Sequence, residues 1–140
     1  MIQKIKSFGL EGIDGYVVDV EVDVARGLPS FTLVGLPDAS VKESKERVSA
    51  AIKNSGYRVP VSKIVVNLAP ADVRKEGPIY DLAIAIGILA SSEDDVFIRK
   101  FESAGSTAFI GELGLDGELR RVNGVLPMLL SAKECGITRV

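Results

Sequence analysis

The sequence predicts an α/β domain of the α+β kind, with a mixed sheet and helices mainly on one face. Three observations lead there. Tyr16, Val18, Val20, Val22 and Val24 alternate with Val17, Asp19, Glu21 and Asp23, a period of two that puts apolar groups on one sheet face and carboxylates on the other. Lys-Ile-Val-Val-Asn-Leu at 63–68 is a nearly continuous apolar run, as expected of a strand inside a sheet. Residues 80–92 are apolar almost all round, so a helix there must be covered by a sheet and by other helices.

The remaining elements follow in order. Residues 2–10 make the first strand, and Glu11-Gly12-Ile13-Asp14-Gly15 the hairpin loop into the second. A short third strand at 31–34 lies between the breakers Gly27-Leu28-Pro29 and Gly35-Leu36-Pro37. Residues 38–55 read as one amphipathic helix. Asp38 or Ser40 caps it, Ser40 with Glu43 fits a capping box, and Val41, Ser44, Val48, Ala51 and Ile52 share a stripe. On its other side Lys42 with Glu46 and Glu43 with Arg47 are spaced i,i+4. A polar loop at 69–78 leads into the buried helix, and Glu93-Asp94-Asp95 returns the chain to solvent. Residues 107–113 and 118–122 read as strands around the hairpin signal Asp116-Gly117. Residues 124–134 form a last helix with Pro127 in its first turn. Residues 136–140 read as a helix stop and the start of a strand, so a longer protein is expected, of which residues 1–140 are one domain.

Composition limits the chemistry. The chain has 140 residues, enough for one core, with no histidine and one cysteine, Cys135. This excludes Ser-His-Asp and Cys-His machinery, imidazole metal ligands, an intrachain disulfide and a four-cysteine zinc site. With 17 basic and 19 acidic residues the net charge is -2, so no global field draws nucleic acid and any contact must be a local patch. The longest apolar run, at 82–90, falls far short of the ~20 residues of a membrane helix, and no signal peptide is visible. A cytoplasmic protein with no membrane partner is expected.

Each remaining motif has a plain reading beside a functional one. Gly-Lys occurs nowhere and no GxGxxG follows a strand, so neither a Walker A loop nor a dinucleotide fingerprint is present, and no cofactor is expected within these residues. Asp19, Glu21 and Asp23 share a strand face at a spacing loosely compatible with a divalent cation, but one-sided burial produces the same alternation. Cys135, beside a helix-stopping Gly136, reads as a small buried residue. Asp81, a carboxylate in the first turn of an apolar helix, reads as a structural cap for exposed amides or a partner for an arginine. Lys63, Arg74, Lys75, Arg120, Arg121, Lys133 and Arg139 are spread among acids without an aromatic platform, as on a solvated surface. Among them Arg74 and Lys75 in the polar loop and Arg120 and Arg121 in the hairpin are the candidate contacts for DNA or a partner.

Four long stretches in order carry a resemblance. They are Leu-Pro-Asp-Ala-Ser-Val-Lys-Glu-Ser-Lys-Glu-Arg-Val at 36–48, Asn-Leu-Ala-Pro-Ala-Asp-Val-Arg-Lys-Glu-Gly at 67–77, Tyr-Asp-Leu-Ala-Ile-Ala-Ile-Gly at 80–87, and Gly-Glu-Leu-Gly-Leu-Asp-Gly-Glu-Leu-Arg at 111–120. Together they resemble the N-terminal domain of the ComM/YifB family, magnesium-chelatase-related AAA+ ATPases, over essentially the whole chain. The resemblance implies a Lon-protease-domain-like fold, also described as ribosomal protein S5 domain 2-like. It also implies an ATPase module beyond these residues that binds ATP and Mg, a homo-hexameric ring, and action on single-stranded or branched DNA in branch migration and competence.

Lon proteases carry a catalytic serine in Gly-Pro-Ser-Ala-Gly and a lysine in Gly-Gly-Leu-Lys-Glu-Lys. The matching stretches here are Gly77-Pro78-Ile79-Tyr80-Asp81 and Asn123-Gly124-Val125-Leu126-Pro127-Met128. Ile79 and Leu126 stand at the dyad positions, and neither can attack a carbonyl or accept a proton. The leading expectation is a non-catalytic domain that supports ring assembly or DNA engagement. The alternatives are a degenerate peptidase using Ser106 or Ser131 with Lys133, and a protein-interaction domain without DNA.

Overall fold

The computed structural model describes residues 2–92 and 107–140. Glu93-Asp94-Asp95 and Ser106 lie outside the described residues. Four strands form the main sheet: β1 (Ile2–Glu11), β2 (Asp14–Ala25), β3 (Ser30–Val34) and β4 (Lys63–Ala69), in the order β1-β2-β4-β3. β1 and β4 run antiparallel to β2, whereas β3 runs parallel to β4, so the sheet is mixed. The alternation in β2 is realised as expected. Val18, Val20 and Val22 are buried, while the opposite face pairs Lys6 with Asp19 at 3.1 Å and Lys4 with Glu21 at 3.7 Å across the β1–β2 register. Glu21 Oε1 also accepts a hydrogen bond from Asn67 Nδ2 at 2.8 Å. The carboxylate row is thus half of a cross-strand charge ladder, and among the described residues no cluster of three or more possible ligands is placed to hold a metal ion.

The predicted helix at 38–55 becomes α1 (Ala39–Lys42) and α2 (Ser44–Asn54), with the boundary at Glu43. Of the two capping alternatives Asp38 is used: its Oδ1 accepts from the Val41 amide at 2.8 Å. The predicted stripe, Val41, Ser44, Val48, Ala51 and Ile52, is buried throughout. A 3-10 turn (Pro78–Tyr80) leads into α3 (Asp81–Ser91), which lies between β1–β2 and α2. Gly87 is the point of closest approach: a Cβ there would lie 2.5 Å from Val22 Cγ2. α4 (Val125–Glu134) packs along β2 on the other face, where a Cβ on Gly15 would lie 2.6 Å from the Pro127 carbonyl oxygen. Among the described residues, three helices therefore gather on one face and one lies on the other.

Two expectations are corrected. The strand expected at 107–113 is divided among three partners. Ala108 and Phe109 bond Arg139 and Lys6, extending the sheet beyond β1. The Gly111 amide then donates to the Ile79 carbonyl in the 3-10 turn and its carbonyl accepts from Leu82 in α3, and only β5 (Glu112–Leu113) pairs with β6 (Leu119–Arg120). Cys135 is exposed rather than buried. It is the C-cap of α4, whose inner face is filled by Met128 and Ala132, and the turn at Gly136 sends Ile137 inward instead.

Candidate functional site

A buried ion pair sets the frame. Asp81 is fully buried, and Arg47 of α2 reaches it with both arms, Nε to Oδ2 at 2.6 Å and Nη2 to Oδ1 at 3.1 Å. Oδ2 also accepts from the Leu113 amide at 3.1 Å, so one carboxylate ties α2, α3 and β5. Of the two roles read for Asp81, the partner of an arginine is the one it takes; it does not cap its own helix. The amide of Leu82 is taken by the Gly111 carbonyl at 3.2 Å, which frees the carboxylate for Arg47. The Arg47 pKa is raised, chiefly by this hydrogen bond. Arg47 Nη2 is shared with the Ser40 carbonyl and Ser44 Oγ, and Nη1 lies 3.6 Å from Glu43, so the buried pair is well satisfied.

Asp38 does similar work for the polar loop. Its Oδ1 caps α1, and its Oδ2 accepts from the Gly77 amide at 3.3 Å. Beside it the Lys75 amide bonds the Leu36 carbonyl and the Asp38 amide bonds the Lys75 carbonyl, both at 3.0 Å. Lys75 itself is buried, with Nζ donating to the Pro70 carbonyl, and burial lowers its pKa. Lys75 is therefore not a surface contact. Its backbone lies on the 36–38 segment, which draws the side chain inside with it.

These anchors shape a cleft of about 460 Å³ walled by Leu10, Asp38, Glu76–Ile79, Glu112 and Arg121–Asn123. The other candidate contacts meet around it. Arg121 lines it, Arg74 is exposed and pairs with wall residue Glu76 at 3.8 Å, and Arg120 lies 4.0 Å from wall residue Glu112. Three carboxylates share the walls with one guanidinium, so the cleft is poorly suited to a phosphate backbone. Ile79 is buried in the wall and Leu126 is 68% exposed on α4. The displaced pair Ser131 and Lys133 does not assemble either, because residues two apart on a helix diverge.

Sequence reasoning missed the joint roles of Arg47 and Asp38. A signal for Arg47 was present: it flanks the buried stripe beside Val48, while the apolar helix at 80–92 opens on a carboxylate that needs a cation.

Beneath the cleft Tyr16 and Tyr80 crowd Gly9, where a Cβ would lie 2.6 Å from Tyr80 Oη and 2.7 Å from Tyr16 Oη. Burial raises both phenol pKa values.

A mixed sheet with helices on both faces, and a 3-10 turn leading from the cleft wall into a buried helix, define a Lon-like domain. The family described as subunit ChlI of Mg-chelatase matches residues 20–140, and the chain belongs to this family. It is 46% identical over 125 residues to the competence protein ComM of Haemophilus influenzae, covering 88% of this chain and 23% of that protein. It is likewise 46% identical over 125 residues to YifB of Escherichia coli, covering 89% and 24%. A weaker similarity, 26% over 135 residues, links it to a Lon protease of Clostridioides difficile, covering 91% of this chain and 16% of that one. The chain thus spans about a quarter of the length of its ComM and YifB relatives.

Proposed function

We propose that these residues form a non-catalytic scaffold domain of a larger, cytoplasmic ChlI/ComM-type ATPase, and that the domain supports assembly of its homo-hexameric ring. The observation that carries this reading is the pairing of a well-built cleft with Ile79 and Leu126 at the positions of the dyad. The wall is held by Asp38, Asp81 and Arg47; Ile79 stands in it and Leu126 outside it, and neither side chain can serve as nucleophile or base. ATP and Mg would act in a separate module, since no Walker A lysine loop occurs in these 140 residues. Preparing the longer protein with and without residues 1–140 tests the reading: the shorter form is expected to hydrolyse ATP but to assemble rings poorly. Equal assembly by both forms would contradict it.

Engagement of single-stranded or branched DNA is the second reading; it would use the exposed Arg74, Arg120 and Arg121 on the outer surface beside the cleft, not the largely acidic cleft itself. Reversing Arg121 and Arg74 to Glu is then expected to weaken DNA binding and to reduce its salt slope by about one per lost contact. Unchanged affinity at two salt concentrations would leave the domain as a protein-interaction scaffold.

A further inference from the structure

The two ends of the main sheet carry opposite surfaces. β1 and β2 turn at one end, where Leu10 lines the cleft, and β3 and β4 both run toward it, β3 leading into the wall residue Asp38. At the far end β2 finishes and β3 and β4 begin. Ala25 and Ser30 both register with Lys63 there, and the Ser30 amide donates to the Ser62 carbonyl at 3.3 Å. The loops 26–29 and 58–62 therefore stand side by side. The seven residues of β4 set them roughly 20 Å from the cleft end of the sheet.

These loops are cationic with apolar tips. Residues 24–37 and 48–71 contain no Asp or Glu. Arg26, Arg58 and Lys63 are exposed, and among the described residues none of the three makes an ion pair. Asp23, two residues further into the sheet, is itself partnered. Between these cations Leu28 and Val61 are 89% and 85% exposed, each beside a proline, Pro29 and Pro60, that restricts its loop. Single exposed apolar residues need no explanation, but two adjacent apolar tips in an acid-free cationic rim have a definite complement.

The cleft at the other end has that character. Asp38, Glu76 and Glu112 share its walls with Leu10, Pro78 and Val122. Glu76 and Glu112 hold only long contacts to Arg74 and Arg120, at 3.8 and 4.0 Å, and pairs of this kind contribute little. Both carboxylates can therefore receive a better-seated cation. We infer that loops 26–29 and 58–62 of one copy seat in the cleft of the next. Leu28 and Val61 meet Leu10 and Val122, and Arg26, Arg58 and Lys63 face Glu76 and Glu112. Two different surfaces at opposite ends make this contact head-to-tail, the kind that closes into a ring when the rotation per step permits. The inference rests on the assembly reading above and names a pair of surfaces for it.

Sedimentation of the 140-residue chain from about 10 to about 500 µM tests it, a range suited to the micromolar end of interface affinities. A mass that rises with concentration is expected. Leu28→Glu with Val61→Glu sets carboxylates against carboxylates and should weaken association at least about 30-fold. Circular dichroism should not change, because both side chains are exposed. Glu76→Lys with Glu112→Lys should weaken association from the other side, and Glu76→Lys alone, at an exposed position, serves if the double change disturbs the fold. Each variant alone is expected to be monomeric where the wild type associates. Their mixture should form at least a one-to-one pair, since one keeps the cleft and the other the loops. A wild-type monomer throughout, a loop variant that associates like the wild type, or a mixture that stays monomeric overturns the inference. In the longer protein, rings that survive the loop substitutions but not deletion of residues 1–140 contradict the inference and leave the assembly reading intact. Rings that survive both changes contradict both.

Discussion

At the scale of single residues, the buried Asp81 carboxylate joins three elements, α2, α3 and β5. It receives both arms of Arg47 and the Leu113 amide in a fully buried position. Removing one partner of such a pair leaves an uncompensated buried charge, so Asp81→Ala is expected to cost about 3–5 kcal/mol in denaturant unfolding. Arg47→Lys should also destabilise, since an ammonium cannot supply the forked contact. A loss below about 1 kcal/mol for Asp81→Ala would mean that the pair behaves as a surface salt bridge.

Burial also predicts an alkaline signature. Tyr80 has a raised pKa in the fold, so above its ordinary value of 10.0 the unfolded chain releases a proton that the folded chain keeps. Stability falls as pH climbs through that window. Lys75 acts in the opposite sense: its folded pKa lies below 10.5, so the folded state binds fewer protons and gains stability as pH rises toward that value. Urea unfolding between pH 8 and pH 11, a window set by these two ordinary values, should show a shallower decline for Tyr80→Phe and a steeper one for Lys75→Met. Identical slopes in all three proteins would remove this account.

At the scale of elements, legibility followed one-sided burial. The period of two in β2 and the stripe of α2 were readable because each buries one face of a regular repeat, and both lie where the pattern put them. The stretch at 107–113 was not, because its residues bond three different partners and no local pattern records a change of partner. Asp81 was legible as a structural carboxylate, but its ligand lies 34 residues away, a distance only the packing of α2 on α3 resolves. Lys75 shows the converse. A lysine in a polar loop reads as surface, and only the contact of its backbone with Leu36 and Asp38 buries it. Packing at Gly87 can be tested directly: Gly87→Ala should destabilise by about 1–3 kcal/mol through overpacking on Val22. Val22→Ala in the same chain should recover part of that loss. Additive losses in the double variant would place the strain elsewhere.

At the scale of the molecule, the fold keeps a cleft with Ile79 in its wall and the buried network that shapes it. On the scaffold reading proposed above, such a domain contributes by what it holds together. The relatives are about four times as long as this chain, so its contribution is best read in the longer protein. The most direct measurement is the assembly state of that protein in the presence of nucleotide, determined by light scattering with residues 1–140 present and deleted. The account predicts closed rings for the intact protein and smaller species for the deleted one, with ATP hydrolysis per subunit still measurable. Rings of the same mass in both would contradict it.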